Sequence, residues 1–147
     1  MSLPRTLDIL LVEDSDTDAL LATEAIAAAA VDARLHRVVD GLAAMDYLLA
    51  RGAYAQAQRP DLVLLDLNLP RRDGREVLAE IKQTETLRRI PVVVLTTSAY
   101  EQDVLSAYDR HANCYVVKPV DFHEFVEAMK RLERFWLETA VLPPHGA

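Results

Sequence analysis

A chain of 147 residues and 16.4 kDa is sized for one domain, and at this length about 70% of the unfolded surface can be buried. With 51% hydrophobic and 27% charged residues it has the composition of a folded globular protein, which excludes a disordered chain. A formal charge of -7 argues against nucleic acid as a partner, since phosphate binding needs a basic face, and no apolar run approaches the roughly 20 residues of a membrane span.

The opening MSLPRTLDILLVEDS reaches acids before a signal-peptide pattern develops, so a cytoplasmic location away from any membrane is expected. Leu7 to Val12 then reads as a buried strand. Asp16 to Ala30 is helical, Ala33 to Val39 alternates as a strand, and Gly41 to Arg51 is a second helix with Leu42, Met45, Leu48 and Leu49 at helical spacing. Gly52 to Pro60 breaks the pattern as a loop. Strands follow at Asp61–Asp66, Pro91–Thr97 and Cys114–Val117, separated by helices at Asp73–Gln83 and Tyr100–His111. A last amphipathic helix runs from Asp121 to about Thr139, and Val141 to Ala147 is an extended tail. Regular alternation of five strands and five helices implies an α/β domain with a parallel sheet covered on both faces.

Polar groups collect at the carboxyl ends of these strands. Glu13 and Asp14 follow LDILLV, Asp66 follows DLVLL with Asn68 two residues on, Thr96 closes VVVLT, and Lys118-Pro119 follows NCYVV. In an open parallel sheet that edge is where ligands bind. Three carboxylates and a nearby backbone carbonyl suit Mg²⁺, a hard cation that prefers oxygen. A lysine and a threonine opposite can hold an anionic group. The combination points to phosphoryl chemistry on an aspartate.

In this order and at these separations, LLVEDS, LLDLNLPRRDG, VVVLTTSA and CYVVKP resemble the receiver domain of bacterial two-component response regulators. The separations are 30 positions from Asp66 to Thr96 and 22 from Thr96 to Lys118. The resemblance covers about residues 7–135 and makes 1–147 a single receiver domain, with 136–147 as a C-terminal helix extension and tail. It implies a flavodoxin-like (βα)5 doubly wound sheet of strand order 2-1-3-4-5.

By that resemblance Asp66 is the phosphoacceptor, attacking the phosphorus of a phosphohistidine on a partner kinase. Glu13, Asp14, Asp66 and the backbone carbonyl of Asn68 would hold Mg²⁺, and Lys118 would pair with Asp66 at rest and with a phosphoryl oxygen afterwards. In this family the Lys118–Pro119 bond is typically cis, aiming the lysine inward. Thr96 would hydrogen-bond the phosphoryl group and make room for Tyr115, the two forming a conformational switch. Thr97 is larger than the glycine or alanine often found beside the threonine. Such a chain catalyses only its own phosphorylation and dephosphorylation, and is otherwise no enzyme.

Each residue has a plainer reading. A strand-end aspartate is ordinarily a helix cap, and Asp14 or Ser15 could cap the first helix. Tyr115 could be a half-exposed strand residue. The basic pair Arg71-Arg72 reads equally as a solvated turn or as a docking rim for an acidic kinase surface. His36, His111, His123 and His145 have no metal spacing, single Cys114 excludes an internal disulfide, and both residue types suit structural or solvated roles. An aspartate-nucleophile hydrolase would carry a second acid where Asn68 stands. A flavodoxin-like cofactor binder would carry a phosphate loop where VEDSDTDA presents acids.

Within the family, FWLETAVLPP, LTTS and the long loop near residues 51–60 look like the stand-alone regulators associated with phytochrome histidine kinases. That likeness implies a sensor kinase of phytochrome type as phosphodonor, and a homodimer. Phe135, Trp136 and Leu137 extend the last helix's apolar pattern beyond what the core should bury, so with Tyr115 they are the candidates for the contact. Output would then come through protein contacts.

Overall fold

The computed structural model describes residues 6–28 and 32–144, the side chain of Leu137 excepted. Five strands form one parallel sheet: β1 (Leu7–Val12), β2 (Ala33–Val38), β3 (Leu62–Leu65), β4 (Val92–Thr96) and β5 (Cys114–Val117). Their order is β2-β1-β3-β4-β5, as the flavodoxin-like expectation requires. The helices are α1 (Asp16–Ala28), α2 (Gly41–Leu48), α3 (Gly74–Gln83), α4 (Glu101–Asp109) and α5 (Phe122–Arg134).

The central strands are buried on both faces, and their period of two divides the core. Leu10, Val12, Val63, Leu65, Val92 and Val94 face α2, α3 and α4, where Met45, Leu78 and Ile81 meet them. Ile9, Leu11, Leu62, Leu64, Val93 and Leu95 face α1 and α5. On that side Ala19, Ala22 and Ala25 let α1 lie close, while Phe125, Met129 and Leu132 supply the bulk from α5. Burying one such leucine contributes roughly 1.5–3 kcal/mol, so removing the apolar face of any central strand would unfold the sheet.

Boundaries differ from the sequence reading mainly at helix ends. The second helix stops at Leu48, and Gly52–Tyr54 form a short 3-10 turn, Gly52 taking the left-handed backbone (φ 59°). Asp73 lies outside α3 as its cap, accepting from the Arg75 amide. Residues 29 and 30 of the first expected helix and 145–147 of the tail lie outside the described residues, as does His145.

The last helix changes character at Phe135, where a π-helical turn runs to Thr139. Trp136, at helical spacing from Phe125, Met129 and Leu132, packs partly buried on the α1–α5 side of the core. The expectation that the domain cannot bury these residues is therefore corrected for Trp136. Phe135 remains 52% exposed and meets Trp136 edge to face at 5.3 Å. The side chain of Leu137 lies outside the described residues.

Candidate functional site

Parallel register brings the strand ends together and fixes the backbone of each site residue. The Glu13 amide donates to the Val38 carbonyl at 3.0 Å, the Asp66 amide to Val12 at 3.1 Å, and the Lys118 amide to Thr96 at 2.7 Å. Glu13, Asp66, Thr96 and Lys118 are all buried, whereas Asp14 is exposed at the pocket mouth. Gly74 closes the floor. A Cβ there would stand 2.3 Å from the Asp66 carbonyl oxygen and 2.6 Å from Leu67 Cα, both backbone atoms, so only glycine lets α3 begin this close.

Lys118 Nζ is the centre of the pocket's charge. It lies 2.5 Å from Glu13 Oε1, 2.8 Å from Asp18 Oδ2 and 3.0 Å from Asp66 Oδ2, with its side chain only 4% exposed. Three ammonium protons thus meet three carboxylates. Burial alone pulls the lysine's pKa down, but the hydrogen bonds it donates to Asp18 and Glu13 and the charge of Asp66 outweigh it and hold the ammonium above its ordinary range. Burial pushes Glu13 the other way, up to about 7, against the hydrogen bond and charge of Lys118 and with the charge of Asp66.

Carboxylate oxygens of Glu13, Asp14 and Asp66 come within 4.8 Å of one another, a spacing that fits one small cation. The Asn68 amide donates to Asp66 Oδ1 at 3.0 Å, and Asn68 Nδ2 reaches Thr96 Oγ1 at 3.4 Å. Capping falls to Ser15 rather than Asp14: Ser15 Oγ accepts from the Asp18 amide at 3.2 Å. Asp14 is thereby left for the pocket.

One expectation needs correction. No cis peptide bond occurs among the described residues, so Lys118–Pro119 is trans. The lysine points inward without it, because β5 pairs in register with β4 as far as Val117 and Thr96, and trans is the lower-energy isomer by about 0.5–1 kcal/mol. Both arginines of the Arg71-Arg72 pair have acidic neighbours. Arg72 Nη2 binds Glu80 Oε1 at 2.7 Å, and Arg71, held in the left-handed region, lies 3.7 Å from Asp40.

The sequence profile of the response regulator receiver domain matches residues 9–130. The chain belongs to this receiver family. It is 52% identical over 135 residues to the response regulator Rcp1 of Synechocystis sp., covering 92% of each chain. The structure of the Mn(2+)-bound form of Rcp1 superposes with a TM-score of 0.91 at 51% identity, covering 94% of this chain and 99% of that one. A structure of the phosphorylated cyanobacterial phytochrome response regulator RcpA gives 0.93 at 51% identity, covering 95% and 100%.

Several residues of this receiver escaped the sequence reading. Asp18 is one: it stands in the first turn of α1, and its turn toward β5 depends on how that helix seats on the sheet. Gly74 is another, present in the motif but without an assigned reason. Arg75, Ser98 and Asp103 form a network beside the pocket: Arg75 Nη2 meets Asp103 Oδ1 at 3.0 Å, and Ser98 Oγ meets Asp103 Oδ2 at 2.5 Å. Among the histidines, His36 Nε2 sits 3.0 Å from Asp8 on the neighbouring strand, a structural pairing. Cys114 is half-buried. Among the described residues no helix is long and apolar enough to cross a membrane.

Proposed function

We propose that this chain is a single-domain receiver that accepts a phosphoryl group on Asp66 from a histidine kinase. The observation that carries the reading is Lys118 Nζ at 3.0 Å from Asp66 Oδ2, in a pocket whose other carboxylates can gather a cation. An Asp66 oxygen forms the new O–P bond as the P–N bond to the donor imidazole breaks, and the departing ring nitrogen takes a proton. Glu13, Asp14, Asp66 and the Asn68 carbonyl are the residues that would hold Mg²⁺, which when bound neutralises charge on the phosphoryl oxygens. Lys118 then passes from Asp66 to a phosphoryl oxygen, and Thr96 Oγ1 offers a hydrogen bond from the other strand end.

The similarity to a phytochrome response regulator favours a kinase of phytochrome type as the donor, in the cytoplasm. Signal output is conformational, through Thr96 and Tyr115, and passes by protein contacts rather than DNA, in keeping with the charge of -7. Exposed Phe135 and Val141 next to the π-helical turn support a homodimer built through this end of the chain, with α4 and β5 beside it.

Incubation with acetyl phosphate and Mg²⁺ should add one phosphoryl group by intact mass, and Asp66→Asn should add none. Undiminished uptake by that variant would overturn the assignment.

A further inference from the structure

Tyr115 is tied beneath the connection between β4 and α4. Its hydroxyl donates to the Ser98 carbonyl at 2.9 Å, and its ring packs against the α2–α3–α4 side of the core. Residues 97–100 have no regular structure, so their position must come from side chains. Ser98 supplies it: its Oγ donates to Asp103 Oδ2 and accepts from the Tyr100 amide at 3.4 Å. The other Asp103 oxygen takes Arg75 Nη2 at 3.0 Å, and Arg75 Nη1 lies 3.3 Å from both oxygens of Asp73.

Arg75 is the second residue of α3, whose first, Gly74, rests on the backbone of Asp66. The Gly74 amide donates to the Leu67 carbonyl at 2.9 Å, so contacts run from the end of β3, across the start of α3, to the connection that follows Thr96 and down to Tyr115. We propose that Arg75 and Asp103 are positioning residues for the phosphorylation of Asp66, latching the 97–100 connection and Tyr115 in the arrangement a phosphoryl group requires before one arrives. The inference rests on Asp66 being the phosphoacceptor.

Charge and exposure favour a positioning role over a stabilising one. Arg75 and Asp103 are each 25% exposed, and a pair this accessible adds little to global stability. The Ser98 hydroxyl first, and then Arg75, hold the Asp103 carboxyl below its usual range, so it stays ionised as the acceptor of both. What the pair controls is how many local arrangements the connection samples. A ligand that needs one of them binds more weakly in proportion to the fraction of molecules outside it.

The test uses the full chain with Arg75→Ala, Asp103→Asn, the double variant and Arg75→Lys. Beryllium trifluoride with Mg²⁺, a noncovalent mimic of the aspartyl phosphate, is the probe. Each single variant should lose roughly 5-fold or more in affinity for it while the melting temperature stays within error of the parent. The double variant should lose no more than the worse single, and Arg75→Lys should recover part of the loss. Amide hydrogen exchange at 97–104 should quicken in the single variants without ligand. Unchanged affinity with unchanged exchange overturns the latch, as does a loss that tracks the melting temperature alone. Should the parent bind no beryllium trifluoride, the phosphoacceptor reading fails instead, and the exchange comparison still decides whether the latch exists.

Discussion

Lys118 Nζ and Asp18 Oδ2 are 2.8 Å apart, a contact between the end of β5 and the first turn of α1. Asp18 lies outside the group of acids that could share a cation, so it would remain with the lysine were Glu13 and Asp66 to turn to a metal. It fixes where the ammonium stands.

Replacing Asp18 by Asn should therefore speed phosphorylation by acetyl phosphate. The pocket loses one negative charge that repels the anionic donor, and Lys118 loses the partner that holds it toward α1. A change of about 1 kcal/mol in the barrier corresponds to roughly a 5-fold rate increase. Stability should fall by no more than about 1 kcal/mol, because Asp18 is partly exposed. Initial rates and urea midpoints measure both, and an unaltered rate would assign the lysine's position to Glu13.

Asp14 is exposed, and Ser15 does the capping of α1. Asp14→Ala should consequently weaken Mg²⁺ binding and slow phosphorylation, while the metal-free protein is at least as stable as the parent through relief of carboxylate repulsion. Calorimetric titration with Mg²⁺ and a thermal melt without it separate the two effects. Unchanged affinity would remove Asp14 from the ligand set.

Glu133 gives a pH dependence of known sign. It is 0% exposed on α5, and neither carboxylate oxygen has a hydrogen-bond partner. Burial raises its pKa from 4.5 to about 8, against a smaller opposing effect of Lys130. The folded protein thus holds a proton that the unfolded chain releases across that interval, so the stability this group contributes is fully present below 4.5 and is lost as pH rises through about 8. Glu133→Gln should flatten this loss, and Glu133→Met should raise stability at pH 8.5 by roughly 1–3 kcal/mol. Urea melts at pH 5.5 and 8.5 provide the check; equal slopes for parent and Gln variant would show that the carboxyl finds water.

The adjoining aromatic residues should behave oppositely. Trp136 packs on the core, so Trp136→Ala should cost about 2 kcal/mol, less than a fully buried tryptophan. Phe135 is exposed, so Phe135→Ser should leave stability within about 0.5 kcal/mol yet shift a dimer to monomer in light scattering. A parent that is monomeric at micromolar concentration, phosphorylated or not, would instead assign this end of the chain to self-packing.

Strand ends were legible because two constraints meet there. Runs such as LVLL and VVVL declare buried parallel strands, and chemistry restricts what can follow them, so Glu13, Asp14, Asp66, Thr96 and Lys118 could be placed on one edge. Partners fixed by helix rotation were not legible. Whether Asp18 turns toward β5, or Arg75 toward Asp103, depends on how α1, α3 and α4 seat on the sheet, which no local spacing records. Glu133 shows the same limit, since an acid between Leu132 and Arg134 in a charged helix carries no sign of burial. The cis Lys118–Pro119 bond came from the family resemblance alone, and register already supplies the aim it was meant to provide.

Glu13 and Lys118 meet across 105 positions of chain, and β5 is an edge strand that can pair only once β4 is in place. Contacts of such long separation form late, because most of the entropy of closure must first be overcome. A nascent chain that has folded only as far as β4 presents Asp66 without Lys118. On the proposed reading of Asp66 as phosphoacceptor, the complete pocket would therefore arrive only with the final strand.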